Sequence, residues 1–175
     1  LYEYYKNEHY VASSVYNLSN KDDLTVKDID IKIEKLENFF EINYNEEQKR
    51  AIKQSLIKNF SIITGGPGTG KTTIIKGITQ AYKMVSGYSP EKLLDKMVLL
   101  APTGRAAKRM SEACSFPAST IHRYLRWNKE TGEFGYNERN KVSAEFIIVD
   151  ETSMIDIDLM ANFFKAMPNN IKLVF

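Results

Sequence analysis

Apolar residues recur at three- and four-residue spacing in some segments of the chain and form short unbroken runs in others. The first pattern is typical of amphipathic helices and the second of buried strands. The helical spacing predicts helices over 1–18, 30–41, 45–58, 71–85, 103–114, 119–126 and 154–167. The unbroken runs predict strands over 60–64, 97–101, 146–149 and 171–175. Turn-prone residues over 127–141 are compatible with a hairpin.

From residue 43 onward strand and helix alternate, which predicts an α/β fold with a parallel sheet covered on both faces. Asn45 and Gln48 form a capping-box pattern at the start of the third helix. Residues 1–42 carry no chemical signature, and we interpret them as a small helical segment that packs on the main domain or on a region before it. The predicted organisation is this segment, 1–42, followed by one domain, 43–175. The predicted buried face of the first helix carries Leu1, Tyr4, Tyr5, Val11, Ala12, Val15 and Leu18.

Composition narrows the class of protein. The chain has 175 residues, 43% hydrophobic and 26% charged, with a net charge of +2, so bulk charge does not indicate a nucleic-acid partner. The single cysteine, Cys114, excludes a disulfide framework and is interpreted as a small buried apolar residue. No run approaches the roughly 18 apolar residues of a membrane span, and we expect a cytoplasmic protein without a membrane partner. Because the chain starts without Met and stops within a predicted strand, we expect it to be part of a longer protein.

One glycine-rich segment, 65–72, fits the phosphate-loop pattern G-x-x-x-x-G-K-[ST] without a mismatch. Glycines let the backbone curl so that its N–H groups point at phosphates, and the following helix adds the positive end of its dipole. In such a loop Lys71 contacts the β- and γ-phosphates, and the Thr72 hydroxyl coordinates Mg²⁺. The alternative is a glycine-rich turn without a ligand, and the position between strand and helix disfavours it. The predicted ATP-binding residues of the loop are Gly66, Pro67, Gly68, Thr69, Gly70, Lys71, Thr72 and Thr73.

A nucleotide hydrolase also needs an acid that holds Mg²⁺ and a group that activates water, and we expect both at the end of a strand that neighbours the loop. Asp150 and Glu151 follow the apolar run 146–149 directly. Asp150 is predicted to bind Mg²⁺, and Glu151 is predicted to orient or deprotonate the water, which makes Lys71 and Glu151 the candidate catalytic residues. In the alternative interpretation the strand simply ends before a helix that Thr152 or Ser153 caps.

Four segments in this order resemble the RecD-like family of superfamily 1 DNA helicases, the 5′-to-3′ branch: 45–48, 65–73, 101–107 and 149–154, with 119–123 as a fifth element. Thr152 replaces the alanine that is usual in the family. The resemblance implies a P-loop NTPase with a RecA-like three-layer sandwich and with ATP and Mg²⁺ as cofactors. It also implies an ATP-driven motor on single-stranded DNA in recombination or repair.

The resemblance also assigns roles to single residues. It implies that Gln48 recognises adenine, although a glutamine at this position could serve only as a helix cap. Thr103 and Arg105 match the first DNA-contacting element, and His122 is expected near the DNA path unless it is structural. Six Lys or Arg residues against one acid over 105–129 form a local basic patch, which could equally be a solvated helix face.

Family members continue with a sensor element and a second RecA-like domain, whose arginine completes the nucleotide site. Because such an arginine contributes roughly 10³–10⁵ in turnover, we expect residues 1–175 alone to bind ATP weakly and hydrolyse it hardly at all. Two alternatives remain open: another superfamily 1 motor, and a P-loop ATPase that acts as a switch or transport energiser without nucleic acid. The segment 101–107 argues against the second, since such proteins need no phosphate-binding helix start after their second strand.

Overall fold

A five-stranded sheet forms the middle layer of the computed structural model, which describes residues 2–66 and 68–175. The strands in chain order are β1 (Phe60–Ser61), β2 (Met97–Ala101), β3 (Ala118–Thr120), β4 (Trp127–Asn128), β5 (Glu133–Phe134), β6 (Phe146–Val149) and β7 (Lys172–Val174). The sheet order is β1-β7-β6-β2-β3, with every pair parallel. The remaining two strands, β4 and β5, form the antiparallel hairpin that the turn-prone segment suggested.

Helices cover both faces of this sheet. They are α1 (Tyr2–Ser19), α2 (Ile29–Phe40), α3 (Glu46–Ile57), α4 (Lys71–Ser86), α5 (Pro90–Lys96), α6 (Gly104–Cys114), α7 (Ile121–Tyr124) and α8 (Ile157–Lys165). Successive residues of β6 point to opposite faces, so Phe146 and Ile148 join one apolar core while Ile147 and Val149 join the other. Helices α2 to α6 share the first core, and α1, α7 and α8 share the second. The predicted α/β three-layer sandwich with a parallel sheet is confirmed.

Two elements were not predicted. The helix α5 has seven residues, too few for a helical period to show, and it starts at the cap Ser89, whose Oγ accepts from the Lys92 N–H at 3.3 Å. The strand β3 was predicted as the start of a helix. Its residues are extended because they pair with β2, with Ala118 opposite Leu99 and Thr120 opposite Ala101. Pairing with a distant segment therefore overrides the local sequence here.

The helix predicted from residue 154 begins three residues later, at Ile157. Asp156 is its cap, because its Oδ1 accepts from the Leu159 N–H at 2.7 Å. Thr152 and Ser153 belong instead to a single 3-10 turn, Thr152–Met154, so the alternative interpretation in which either residue caps this helix is wrong.

The first helix has the predicted period, and its buried face agrees with the prediction only in part. Val11, Val15 and Leu18 contact the second core as predicted, and Tyr10 joins them. Tyr4, Tyr5 and Ala12 are exposed instead of buried. Tyrosine tolerates both water and an apolar surface, so the abundant tyrosines of α1 do not define one stripe. Leu1 lies outside the described residues, and the boundary between 1–42 and 43–175 stays a prediction.

A buried lysine links the interior strand β7 to helix α3. Lys172 is 7% exposed, and its Nζ donates to the carbonyls of Leu56 and Lys58, both at 2.8 Å. These carbonyls lie at the negative end of the α3 dipole, which suits an ammonium group. Burial lowers the pKa of Lys172 to about 8. The contact joins β7 to the turn from which β1 and the glycine loop emerge.

We expect the free energy of unfolding to rise between pH 7.5 and pH 9.5 because of Lys172. The folded protein releases this proton near pH 8, whereas the unfolded chain keeps it to about pH 10.4. The unfolded state therefore binds more protons in this window, and stability increases with pH by on the order of 1 kcal/mol. Urea unfolding at the two pH values measures the slope. An equal slope in Lys172→Met would contradict the assignment.

Candidate active site

The glycine loop lies between the end of β1 and the start of α4. Pairing with β7 continues past β1, since the Ile63 N–H donates to the Phe175 carbonyl at 2.7 Å. Gly68 and Gly70 have positive φ values of 76° and 81°. Gly70 is the N-terminal cap of α4 and has no side chain to offer, so the first-turn amides of the helix can meet an anion. Pro67 lies outside the described residues.

Two of the loop glycines leave no room for a side chain. A Cβ on Gly65 would lie 2.5 Å from Oγ1 of Thr69, whose hydroxyl donates to the Gly66 carbonyl at 2.8 Å. A Cβ on Gly70 would lie 2.7 Å from Nε2 of Gln48, at a φ that side chains rarely adopt. The loop is therefore shaped by its own turn and by contact with the start of α3.

The structure brings Lys71, Asp150 and Glu151 together around one cavity of about 240 Å³, which Gly65 also lines. They meet because β1, β7 and β6 are parallel and end at the same edge of the sheet. Strand β7 lies between the other two in the sheet, so β6 does not pair with β1, and the two acids approach the loop from the carboxyl end of β6. The alternation of strands and helices along the sequence indicates that the strands are parallel. It does not indicate the order in which the strands lie side by side in the sheet. Thr72 and Thr73 are exposed on the first turn of α4 and do not line this cavity.

The two carboxylates are held differently. The Asp150 N–H donates to the Leu100 carbonyl of β2 at 2.9 Å, which fixes the strand end. Its Oδ1 accepts from the Glu151 N–H, also at 2.9 Å. Glu151 has a left-handed backbone, φ 54° and ψ 41°, and its carbonyl accepts from the Met154 N–H at 3.0 Å. A non-glycine residue in this region costs on the order of 1 kcal/mol, and such strain concentrates at functional sites.

The donor set of the cavity fits a magnesium-bound triphosphate. The ammonium of Lys71 and the open first turn of α4 suit phosphate oxygens, and the Asp150 carboxylate suits a hard cation. Among the described residues no group of three or more His, Cys, Asp or Glu could hold a metal ion by itself. Magnesium commonly uses one or two carboxylates together with substrate phosphates and water, so the sparse acid set is compatible with it.

Two threonine-capped helix starts lie side by side on the sheet edge where β2 and β3 end. Thr103 Oγ1 accepts from the Ala106 N–H, and Thr120 Oγ1 accepts from the Arg123 N–H, each at 3.2 Å. A groove of about 430 Å³ runs between α6 and β3. Its polar lining includes Lys108, Ser119, Thr120 and Arg123. Thr120 was not singled out from the sequence, although it shares with Thr103 the pattern of a hydroxyl between a strand and a helix.

Every cation of the basic patch is exposed: Arg105, Lys108, Arg109, Arg123, Arg126 and Lys129. Within residues 2–66 and 68–175 none of them forms an ion pair. His122 is exposed as well, and its ring centroid lies 6.2 Å from that of Trp127 and 6.0 Å from that of Phe134. The histidine thus packs against the hairpin while one side stays open to solvent.

Cys114 is fully buried, as expected, and burial raises the pKa of its thiol. No described helix combines the length and the hydropathy that crossing a membrane requires.

The fold and the site together define a P-loop nucleotide-binding domain of the AAA type. A family model described as "AAA domain" matches residues 48–175, and the chain belongs to this family. Within it the chain is similar to RecD proteins, so the resemblance drawn from the sequence motifs is confirmed.

Three relatives illustrate this similarity. "RecBCD enzyme subunit RecD" of Buchnera aphidicola subsp. Acyrthosiphon pisum is 33% identical over 192 residues, covering 100% of this chain and 31% of that protein. The protein of the same name from Haemophilus influenzae is 31% identical, over 99% of this chain and 30% of its own length. "ATP-dependent RecD2 DNA helicase" of Deinococcus radiodurans is 33% identical, over 74% of this chain and 17% of its own length. The chain thus spans less than a third of the length of each of these relatives.

Proposed function

We propose that this chain is the first RecA-like motor domain of an ATP-dependent DNA helicase that moves along single-stranded DNA in recombination or repair. The observation that carries the proposal is one sheet edge with two adjoining features. One is the cavity shared by Lys71, Asp150 and Glu151, and the other is the pair of helix starts beside a groove that Lys108 and Arg123 line. The similarity to RecD proteins supports the same proposal.

In this proposal ATP supplies the phosphoanhydride bond, and the residues of the chain position and activate the reactants. Lys71 and the first-turn amides of α4 hold the β- and γ-phosphates. Thr72 and Asp150 hold Mg²⁺, and Glu151 orients the attacking water and accepts its proton. Gly66, Pro67, Gly68, Thr69, Gly70 and Thr73 form the rest of the phosphate cradle. Gln48, which contacts Gly70, recognises the adenine base.

DNA binds, in the same proposal, across the ends of β2 and β3. Thr103 and Arg105 contact the DNA backbone, because a helix start, a hydroxyl and a guanidinium together suit a phosphate. His122 lies beside the path of the strand. Six exposed cations, none of which forms an ion pair within the part of the chain that the structure describes, create a local positive field that the net charge of +2 conceals. Closure of this domain on a second RecA-like domain couples ATP binding to a step along the strand.

Residues 1–175 alone are expected to hydrolyse ATP hardly at all, whereas the full-length protein hydrolyses it faster when single-stranded DNA is added. The reason is the missing arginine of the second domain, which contributes roughly 10³–10⁵ in turnover. Phosphate release by both proteins, with and without an oligothymidine, measures the effect. DNA-stimulated turnover by residues 1–175 would contradict the need for a second domain. If DNA does not stimulate the full-length protein, the alternative of a switch or transport ATPase is favoured.

Arg105→Ala is expected to weaken binding of single-stranded DNA several-fold and to make it less salt-dependent. Each phosphate contact on a single strand contributes about 0.7 to the slope of log K against log salt, so the slope should fall by about that amount. Fluorescence anisotropy with a labelled oligothymidine at several salt concentrations measures both quantities. Arg50→Ala removes a charge from α3 that is exposed as well, and it is the matched control. An equal effect of both variants would assign the slope to net charge rather than to a site.

A further inference from the structure

Helix α4 lacks a side chain at two positions where the start of α3 approaches it. These positions are Gly70, the N-terminal cap of α4, and Gly77 in its interior. A Cβ on Gly77 would lie 2.7 Å from Cδ1 of Ile52 and 2.9 Å from the hydroxyl oxygen of Tyr44. A Cβ on Gly70 would lie 2.7 Å from Nε2 of Gln48. The start of α3 therefore rests directly on the backbone of α4 at both places.

Tyr44, the residue before the α3 cap, is held at its backbone and at its ring. Its N–H donates to Oε1 of Glu37 at 2.8 Å, and the same oxygen lies 3.2 Å from Nζ of Lys49. The residue is 5% exposed and belongs to the same apolar core as Ile52. Because the backbone is tied to α2 and α3 and the ring is enclosed, Tyr44 cannot move away from Gly77 unless the start of α3 moves with it.

The contact between Tyr44 and Gly77 combines two unfavourable features. The hydroxyl of Tyr44 has no hydrogen-bond partner within the part of the chain that the structure describes, and burying an unpaired hydroxyl is unfavourable. Glycine in the interior of a helix is less favourable than alanine. Neither feature stabilises α4. Local features that persist despite such a cost are typical of functional sites.

We propose that Tyr44 is a positioning residue of the nucleotide site, which sets the spacing between α3 and α4 by seating its ring against Gly77. This inference rests on the proposed function, in which the loop before α4 holds the phosphates. At this close spacing the start of α3 also contacts Gly70, where the loop becomes helix. The loop is thus held in shape before a nucleotide arrives, so less conformational freedom is lost on binding.

Gly77→Ala tests the spacing, because it adds a methyl group where Tyr44 and Ile52 already approach the helix backbone. Alanine favours a helix more than glycine does, so α4 itself should not be weakened. The affinity of the chain for a fluorescent ADP analogue should fall by about five- to tenfold. Tyr44→Leu removes the ring without adding any atom to α4. It should lower the affinity to a similar extent, because α3 loses its spacer.

Rescue separates positioning from general damage. Tyr44→Phe and Ile52→Val together remove the two atoms nearest to the added methyl group, so combining them with Gly77→Ala should restore the affinity to within about twofold. Tyr44→Phe alone keeps the ring and should leave the affinity unchanged. It should also raise Tm, since the lost hydroxyl has no partner. Thermal unfolding establishes that each variant is folded. If Gly77→Ala does not fold, the comparison of Tyr44→Leu with Tyr44→Phe tests the same spacing.

Unchanged affinity in Gly77→Ala or in Tyr44→Leu would overturn the positioning role, because the contact would then serve stability alone. A loss that the rescue does not reverse would overturn it as well. Lys71→Ala in the same titration tests the proposed function separately. If Lys71→Ala binds the analogue as the unmodified chain does, the phosphate site itself is refuted. If Lys71→Ala binds weakly while Gly77→Ala binds normally, only the positioning role is refuted.

Discussion

Lys71→Ala should weaken binding of a fluorescent ADP analogue to residues 1–175 by about a hundredfold. The variant removes the one cation that lines the described cavity, and leaving a bound phosphate charge without its partner costs roughly 2–5 kcal/mol. Residues on the first turn of α4 keep their backbone positions, so the loss should appear in affinity rather than in stability. A fluorescence titration at fixed Mg²⁺ concentration measures it.

Lys76→Ala provides the matched control, since Lys76 lies on the same helix and contacts the ring of Phe40 instead of the cavity. This variant should bind the nucleotide as the unmodified chain does. Binding by Lys71→Ala at unchanged affinity would show that the glycine-rich segment is a turn without a ligand. The assignment of the phosphate loop would then have to be abandoned.

Glu151→Gln in the full-length protein should bind ATP normally and hydrolyse it roughly 10²–10⁴-fold more slowly. The substitution preserves the size of the side chain and removes the ability to accept a proton, which is worth about that factor in general-base catalysis. The left-handed backbone of Glu151 is equally accessible to glutamine, so the geometry of the turn should not change. Single-turnover hydrolysis and nucleotide titration separate chemistry from binding.

Glu91→Gln neutralises an exposed acid on α5, far along the chain from the cavity, and should leave turnover unchanged. Normal hydrolysis by Glu151→Gln would show that another group activates the water.

Asp150→Asn should have a different effect. We expect it to shift the Mg²⁺ dependence of hydrolysis to higher Mg²⁺ concentration. The pair of variants therefore distinguishes a metal-holding carboxylate from a proton acceptor.

The agreement between sequence and structure is best where a pattern is local. The glycine loop between a strand and a helix, the apolar run that ends in Asp150 and Glu151, and the capping box of Asn45 and Gln48 all lie where the sequence predicts them. Each of these features depends on residues that are neighbours in the chain. Backbone sterics and nearby hydrogen bonds are enough to specify them.

The structure differs from the sequence-based predictions where contacts with distant segments determine the local conformation. Residues of β3 are extended because β2 lies beside them, and α1 turns Tyr4 and Tyr5 to solvent because α8 packs against its other side. Helix α8 begins at Ile157 instead of the predicted residue 154, because Asp156 caps the helix. Thr152 and Ser153, just before it, form a 3-10 turn. Helix and strand propensities do not contain this information.

The sequence by itself determined the alternation of strands and helices, the glycine-rich loop between a strand and a helix, and the position of two carboxylates at the end of a strand. Those properties follow from side-chain type and short-range spacing. Only the tertiary structure decided that β7 separates β1 from β6, that Lys71 faces the same cavity as Asp150 and Glu151, and that Gln48 contacts Gly70. These are relations between segments far apart in the chain, and the packing of two apolar cores on opposite faces of one sheet sets them.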